Sequence, residues 1–171
     1  MEIRDWLDKQ TAAEIMVSDV VTLNGAQPLA AAADVMLREQ ITGAPVVDQH
    51  GICVGVLSVI DVIGAEEKVA AARQEVAESS LFHSNLALPA RIYEDQLAAV
   101  RDKIAPAAEQ PIEHFMTKDL VSVGDDTPLG NIVQRMVDGH VHRVVVLDKS
   151  RRLQGVISTI DVLAALRRAG Q

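Results

Sequence analysis

Aromatic residues and cysteine are almost absent from this sequence. Phenylalanine, tyrosine and tryptophan together make up 2% of its 171 residues. A protein that binds single-stranded nucleic acid on stacked aromatic rings is therefore disfavoured. The one cysteine, Cys53, lies in an apolar run and has no partner for a disulfide within the chain. We expect a buried structural thiol there rather than a reactive one.

Positive charge is also scarce, and long apolar runs are missing. The formal net charge is −8, and lysine and arginine neighbour one another only in pairs. Such a surface repels nucleic-acid phosphates and anionic lipids, so no nucleic-acid partner is expected. No stretch approaches 18 consecutive apolar residues, and the first ten residues lack the apolar core of a secretory signal. We therefore expect no membrane span and a cytoplasmic location.

The common catalytic and metal-binding motifs are absent too. The sequence has no Gly-x-Ser-x-Gly elbow, no phosphate loop and no Gly-x-Gly-x-x-Gly. The five histidines are not spaced as metal ligands are. We expect no enzyme, no metal site and no required cofactor.

A duplication dominates what is present. At an offset of 100, residues 13–65 align with 113–165 without a gap, and 15 of the 53 positions are identical. Chance gives only three or four identities at this composition, roughly one position in fifteen. The chain therefore contains one unit written twice.

Each copy predicts a β-α-β-β-α unit, so the fold class is α/β. Short apolar runs at 20–23 and 120–123 predict strands, and they end in turn residues. Apolar residues then recur at i, i+3, i+4 and i+7, which predicts amphipathic helices that start beside Pro28 and Pro128. Two further apolar runs predict a hairpin. A last helix follows, over 59 to about 78 in the first copy and 159 to about 168 in the second.

These patterns predict four segments along the chain. They are an N-terminal helical segment at 1–11, a first repeat at 12–66, a mainly helical insertion at 67–111 and a second repeat at 112–168. The insertion contains too many apolar residues for a simple linker. We expect it to be packed and to contribute to a dimer contact.

The most informative motif is Gly-x-x-Ser-x-x-Asp, which occurs as "GVLSVID" at 55–61 and as "GVISTID" at 155–161. Serine and aspartate three residues apart at a helix start form a capping box, which explains both without a ligand. The glycine inside an apolar run marks a bulge or a close approach to the backbone. Helix-start amides suit a phosphate and a carboxylate suits ribose hydroxyls, so a sugar phosphate would satisfy both.

These motifs, with "ITGAPVVD" at 41–48 and "VHRVVVLD" at 141–148, closely resemble a tandem pair of CBS domains, named after cystathionine β-synthase. The resemblance implies two repeats packed with pseudo-twofold symmetry and two clefts that bind AMP, ADP, ATP or S-adenosylmethionine. By position, one cleft combines Arg143, Ser158, Thr159 and Asp161 with Thr22, Thr42, Gly43, Ala44 and Pro45. The other combines Ser58 and Asp61 with Ser122, Val141 and His142.

The two clefts differ in charge. Arg143 stands where the first repeat has Gly43, and a guanidinium binds phosphate with two parallel hydrogen bonds. The alternative for Arg143 is a surface ion pair. The Asp61 cleft has only His142 as a nearby cation, so we expect phosphorylated ligands at the Asp161 cleft.

The resemblance thus predicts a stand-alone regulatory module, a homodimer, that binds an adenosine-containing ligand and signals to an unknown effector protein. The alternative is a purely structural dimerisation or interaction module without a ligand.

Overall fold

The computed structural model describes residues 3–65 and 107–169, with only the backbone given at residues 3 and 4. These residues fall into two compact units. Of the described residues, the sheet-1 unit contains 21–50, 54–65 and 107–118, and the sheet-2 unit contains 3–20, 51–53 and 119–169. The expected insertion at 67–111 lies outside the described residues as far as residue 106.

The sheet-1 unit is built on a three-stranded sheet with the order β1-β2-β3. Its elements are β1 (Leu23–Asn24), α3 (Leu29–Arg38), β2 (Gly43–Val47), β3 (Cys53–Ser58), α4 (Val59–Ile63) and a 3₁₀ turn at Ile112–His114. Strand β1 runs parallel to β2, with Leu23 opposite Val46. Helix α3 makes the crossover that a parallel pair requires.

The sheet-2 unit repeats this plan and adds two helices from the start of the chain. Its elements are α1 (Ile3–Lys9), α2 (Ala12–Ile15), β4 (Ser122–Val123), α5 (Leu129–Asp138), β5 (Arg143–Leu147), β6 (Leu153–Ser158) and α6 (Thr159–Ala169). Strand β4 is parallel to β5, with Ser122 opposite Val145, and β5 is antiparallel to β6. The expected mixed α/β class is confirmed.

The crossover helices begin where the sequence predicts. Pro28 and Pro128 lie just before α3 and α5 in extended backbone, and each helix buries the apolar stripe that faces its sheet. Leu29, Ala32 and Met36 are buried on α3, as are Leu129, Ile132 and Met136 on α5.

The first strand of each copy is shorter than predicted. Only Leu23–Asn24 and Ser122–Val123 form strands, rather than 20–23 and 120–123. The side chain of Asn24 accepts a hydrogen bond from the amide of Ala26 at 2.9 Å, so the chain turns directly after β1. Apolar composition marks the run, but ladder pairing and the turn set the length of the strand.

Each unit has its own core. The sheet-1 core includes Leu23, Leu57, Ile112 and Phe115, and the sheet-2 core includes Ala12, Ile15, Ile132 and Ile157. Cys53 is fully buried, in agreement with the expected structural thiol. Within residues 3–65 and 107–169, no helix combines the length and apolar character needed to cross a membrane.

The segment that precedes β1 lies in the sheet-2 unit, although the repeat pattern groups residues 12–20 with the first copy. The amide of Val17 donates to the carbonyl of Val156 at 3.0 Å, and Val156 donates back to Val17 at 3.0 Å. In the sheet-1 unit, Thr117 and Val56 exchange the same pair of bonds at 2.9 and 3.0 Å. Each sheet therefore gains a bridge from a short segment outside its own strands.

Candidate functional site

The Ser-x-x-Asp motif of the sheet-2 unit forms a closed hydrogen-bonded box. Strand β6 ends at Ser158, and α6 begins at the next residue. The amide of Ser158 donates to Oδ2 of Asp161 at 2.8 Å, and the Ser158 hydroxyl donates to the same oxygen. The amide of Asp161 donates to Oγ of Ser158 at 3.3 Å. The predicted capping box is present.

The sheet-1 unit contains the same box with one additional donor. Ser58 donates to Oδ2 of Asp61 from its amide at 2.8 Å and from its hydroxyl at 2.7 Å. The amide of Asp61 donates to Oγ of Ser58 at 3.3 Å. The hydroxyl of Thr117 also donates to Oδ1 of Asp61, at 3.4 Å. The carboxylate of Asp61 is therefore held through both of its oxygens.

Arg143 belongs to the same part of the sheet-2 unit as Ser158. The two residues are directly opposite in the antiparallel β5-β6 ladder, and opposite residues place their side chains on the same face of a sheet. The amide of Thr159 donates to the carbonyl of His142 at 3.0 Å, which joins the start of α6 to the start of β5. An exposed guanidinium, a helix start and a carboxylate thus converge at one corner of this unit.

The corresponding corner of the sheet-1 unit has no cation at that position. Gly43 replaces the arginine, and a Cβ added there would lie 3.1 Å from the carbonyl oxygen of Leu57. The amide of Val59 donates to the carbonyl of Thr42 at 3.0 Å, as Thr159 does to His142. This backbone hydrogen bond is the same in both units. The two corners differ in charge because the first unit has Gly43 where the second has Arg143.

The other predicted site residues are distributed over both units. Thr22, Thr42, Gly43, Ala44 and Pro45 belong to the sheet-1 unit, and Ser122, Val141 and His142 belong to the sheet-2 unit. Ala44 is part of the sheet-1 core and only 1% exposed, so the unit by itself leaves almost none of this residue accessible to a ligand. Each predicted cleft draws on both units, and that combination stays a prediction.

The two motif glycines are explained by the protein itself. A Cβ on Gly155 would lie 2.8 Å from Sδ of Met16 and 2.8 Å from the carbonyl oxygen of Val17. A Cβ on Gly55 would lie 2.6 Å from Sδ of Met116 and 2.8 Å from the carbonyl oxygen of Thr117. The close approach predicted from these glycines is confirmed. The approaching group is a bridging segment of the chain, so the glycines are not evidence for a ligand.

One cavity lies outside the predicted site. It has a volume of about 450 Å³ and opens beside the start of α5, where its walls are formed by Asp126, Thr127, Pro128, Asn131, Gln134 and Arg135. The turn "GDDTP" marks this place in the sequence only as a turn. Among the described residues, no cluster of three or more histidine, cysteine, aspartate or glutamate side chains could hold a metal ion.

Comparison with known proteins gives the same architecture. The chain is 24% identical over 148 residues to the 5'-AMP-activated protein kinase subunit gamma-3 of Sus scrofa, and the match covers 86% of this chain and 23% of that protein. The chain spans a quarter or less of the length of these curated relatives.

Two solved structures are similar to the chain along most of its length. CBSX2 in complex with AMP has a TM-score of 0.67 at 17% identity, and the match covers 94% of this chain and 99% of the CBSX2 chain. The second structure is the CBS domain pair of MJ0100 in complex with 5'-methylthioadenosine and S-adenosyl-L-methionine. It has a TM-score of 0.60 at 18% identity, and the match covers 95% of this chain and 98% of the MJ0100 chain.

The CBS domain profile matches residues 12–68 and 112–168. Since these two regions make up more than half of the sequence, the chain belongs to the CBS domain family.

Proposed function

We propose that this chain is a regulatory module that binds an adenosine-containing ligand, namely AMP, ADP, ATP or S-adenosylmethionine, at its Ser-x-x-Asp motifs. The observation that carries the proposal is the convergence of Arg143, the α6 start and Asp161 at one corner of the sheet-2 unit. The AMP bound to CBSX2 and the S-adenosylmethionine bound to MJ0100 support this ligand class.

Each group at this corner has a role that its chemistry suits. The carboxylate of Asp161 accepts hydrogen bonds from ribose hydroxyls, as acids in dinucleotide-binding folds do. Phosphate is bound by the start of α6, at Ser158 and Thr159, and by the guanidinium of Arg143. The family resemblance, and no contact in the structure, assigns Thr22 and residues 42–45 to the adenine. Because S-adenosylmethionine has no phosphate, phosphorylated ligands are favoured at Asp161.

Isothermal titration calorimetry with each of the four ligands tests the proposal. The Arg143→Gly variant copies the residue at position 43 and should weaken AMP binding about tenfold or more, since a hydrogen bond to a charged group contributes roughly 1.5–3 kcal/mol. Binding of adenosine, which lacks the phosphate, should change little in the same variant. If none of the four ligands binds at millimolar concentration, the proposed function is rejected.

The module signals ligand binding to its effector protein through a shift in the populations of its arrangements. A ligand that contacts residues of both repeats favours one arrangement of the module in proportion to its difference in affinity for the two arrangements. An effector protein, whose identity the chain does not specify, then binds that arrangement. In this proposal the module itself does no chemistry and needs no cofactor, and it acts in the cytoplasm.

We also propose that the module is a homodimer. Helix α6 exposes Ile160 and Leu163, at 69% and 59% of their surface, and α4 exposes Ile60 and Ile63 at the equivalent positions. Each pair is three residues apart and forms an apolar strip on one helix face. A second copy presents the same strip, so a twofold interface would bury both.

The competing function is a structural interaction module without a ligand. The closed capping boxes favour it, because they satisfy serine and aspartate in the absence of any nucleotide. It predicts that nucleotide leaves the melting temperature unchanged. A nucleotide-dependent rise in the melting temperature that Asp161→Ala abolishes would reject this alternative.

A further inference from the structure

The bridging segments differ at one residue that lies beside the aspartate in the sheet-1 unit. Val17 and Thr117 are equivalent positions at the offset of 100, and they form the same backbone bridge to Val156 and Val56. Their backbones are therefore placed alike relative to β6 and β3. The side chains differ by one hydroxyl, which valine lacks.

This difference decides what is bonded to each carboxylate. Oδ2 is used by the capping box in both units. Oδ1 of Asp61 accepts the hydroxyl of Thr117. Among the described residues, no donor contacts Oδ1 of Asp161, and the neighbouring segment offers only Val17, whose side chain is 47% exposed. Asp161 thus keeps one oxygen for a ligand, and Asp61 has both oxygens engaged.

We infer that residues 17 and 117 set the order in which the two motifs bind a nucleoside: the Asp161 site takes ribose hydroxyls first, and the Thr117 hydroxyl weakens the Asp61 site. A ribose at Asp61 has to displace or share the Thr117 hydroxyl bond, whereas a ribose at Asp161 exchanges only a bond to solvent. This inference rests on the proposed function. It is independent of Arg143, because it concerns the ribose and not the phosphate.

Calorimetric stoichiometry of matched variants tests the inference. The probe is whichever of AMP, ADP, ATP and S-adenosylmethionine binds the wild-type protein most tightly, since all four carry the same ribose. At a ligand concentration that saturates only the Asp161 site, the wild type should bind one ligand per chain. Thr117→Val removes the hydroxyl at nearly constant shape and should tighten the Asp61 site about tenfold, so that a second ligand binds in the same concentration range. Thr117→Ser keeps the hydroxyl and should retain a single site.

The reciprocal change provides an independent measurement. Val17→Thr should weaken binding at the Asp161 site about tenfold, because the new hydroxyl competes for Oδ1. In a Thr117→Val background, Asp161→Asn should remove the first site and leave the new one, which assigns the new site to Asp61. Residues 17 and 117 are both exposed, so these variants should fold.

The outcomes separate the inference from the proposed function. Two equal sites in the wild type, or a single site in both Thr117→Val and Thr117→Ser, would overturn the inference and leave the proposed function standing. If neither the wild type nor Thr117→Val binds any of the four ligands, both fail together.

Discussion

Gly155 and Gly55 lie within β6 and β3, where a bridging segment pairs with the strand, and at both places there is no room for a methyl group. At Gly155 the carbonyl oxygen of Val17 would be 2.8 Å from an added Cβ, and this oxygen is backbone held by a bond to Val156. A flexible side chain could move aside, but a bonded backbone group cannot do so without loss of the bridge. These glycines are therefore structural requirements.

Gly155→Ala should lower the free energy of unfolding by about 1–3 kcal/mol, as overpacked core positions do. The matched control is Gly130→Ala. Gly130 is inside α5, and its added Cβ would meet the flexible side chain of Asp8 at 3.2 Å. The gain in helix propensity should keep that variant as stable as the wild type or make it more stable. Urea denaturation of both proteins measures the difference, and equal stability of Gly155→Ala and the wild type would refute the steric account.

At the scale of elements, the two hairpins differ in their turns. The β2-β3 turn contains Gly51 with φ +76°, whereas the β5-β6 turn has Arg151 at the equivalent position with φ +61°. A residue with a Cβ in this left-handed region carries a cost of roughly 1–2 kcal/mol that glycine avoids. The amide of Arg151 donates to the carbonyl of Asp148 at 2.9 Å, so backbone bonding keeps the strained turn in place.

Arg151→Gly should raise the free energy of unfolding by about 0.5–1 kcal/mol. Glycine removes the strain of the positive φ, and its greater chain entropy in the unfolded state offsets part of that gain. Gly51→Ala should do the reverse, because it places a Cβ at positive φ and 3.0 Å from Nη1 of Arg152. Thermal unfolding of the two variants beside the wild type measures both effects. A lower melting temperature for Arg151→Gly would contradict the expectation.

Local patterns in the sequence were sufficient for most elements. The helices that begin at Leu29 and Leu129 follow from apolar spacing, and the hairpins follow from paired apolar runs. The Ser-x-x-Asp boxes follow from capping chemistry between residues three apart. The partner of Asp61 at Thr117 could not be predicted this way, because 56 residues separate the two and only the folded chain brings them together.

At the scale of the whole molecule, the repeats of the sequence and the compact units of the structure are not the same divisions. Residues 12–20 continue into the first repeat, yet Ala12 and Ile15 are buried in the sheet-2 core. Sequence similarity between the copies cannot reveal which core these residues join. Ile15 and Phe115 are equivalent apolar residues, and apolar character alone does not select one core over the other. The composition of the core was predictable from the sequence, but its assignment to one unit was not.

The proposed homodimer has a direct test in the exposed apolar strip of α6. Ile160→Asp with Leu163→Asp should convert a dimer into a monomer, since two carboxylates buried in a twofold interface face their copies and lose hydration. Val137→Asp is the matched control, because Val137 is also exposed but lies on α5. Sedimentation velocity of the three proteins gives the masses. A monomeric wild type, or a dimeric double variant, would reject the α6 interface.

The bridge between Val17 and Val156 also affects the order in which the chain acquires its structure during synthesis. Val156 is synthesised 139 residues after Val17, which takes roughly seven to thirty seconds at 5–20 residues per second. Throughout that interval, the apolar side of α2, with Ala12 and Ile15, has no complete sheet-2 core to enter. Helix α2 therefore waits for β6, and a stop in translation between them leaves this apolar segment without its full core.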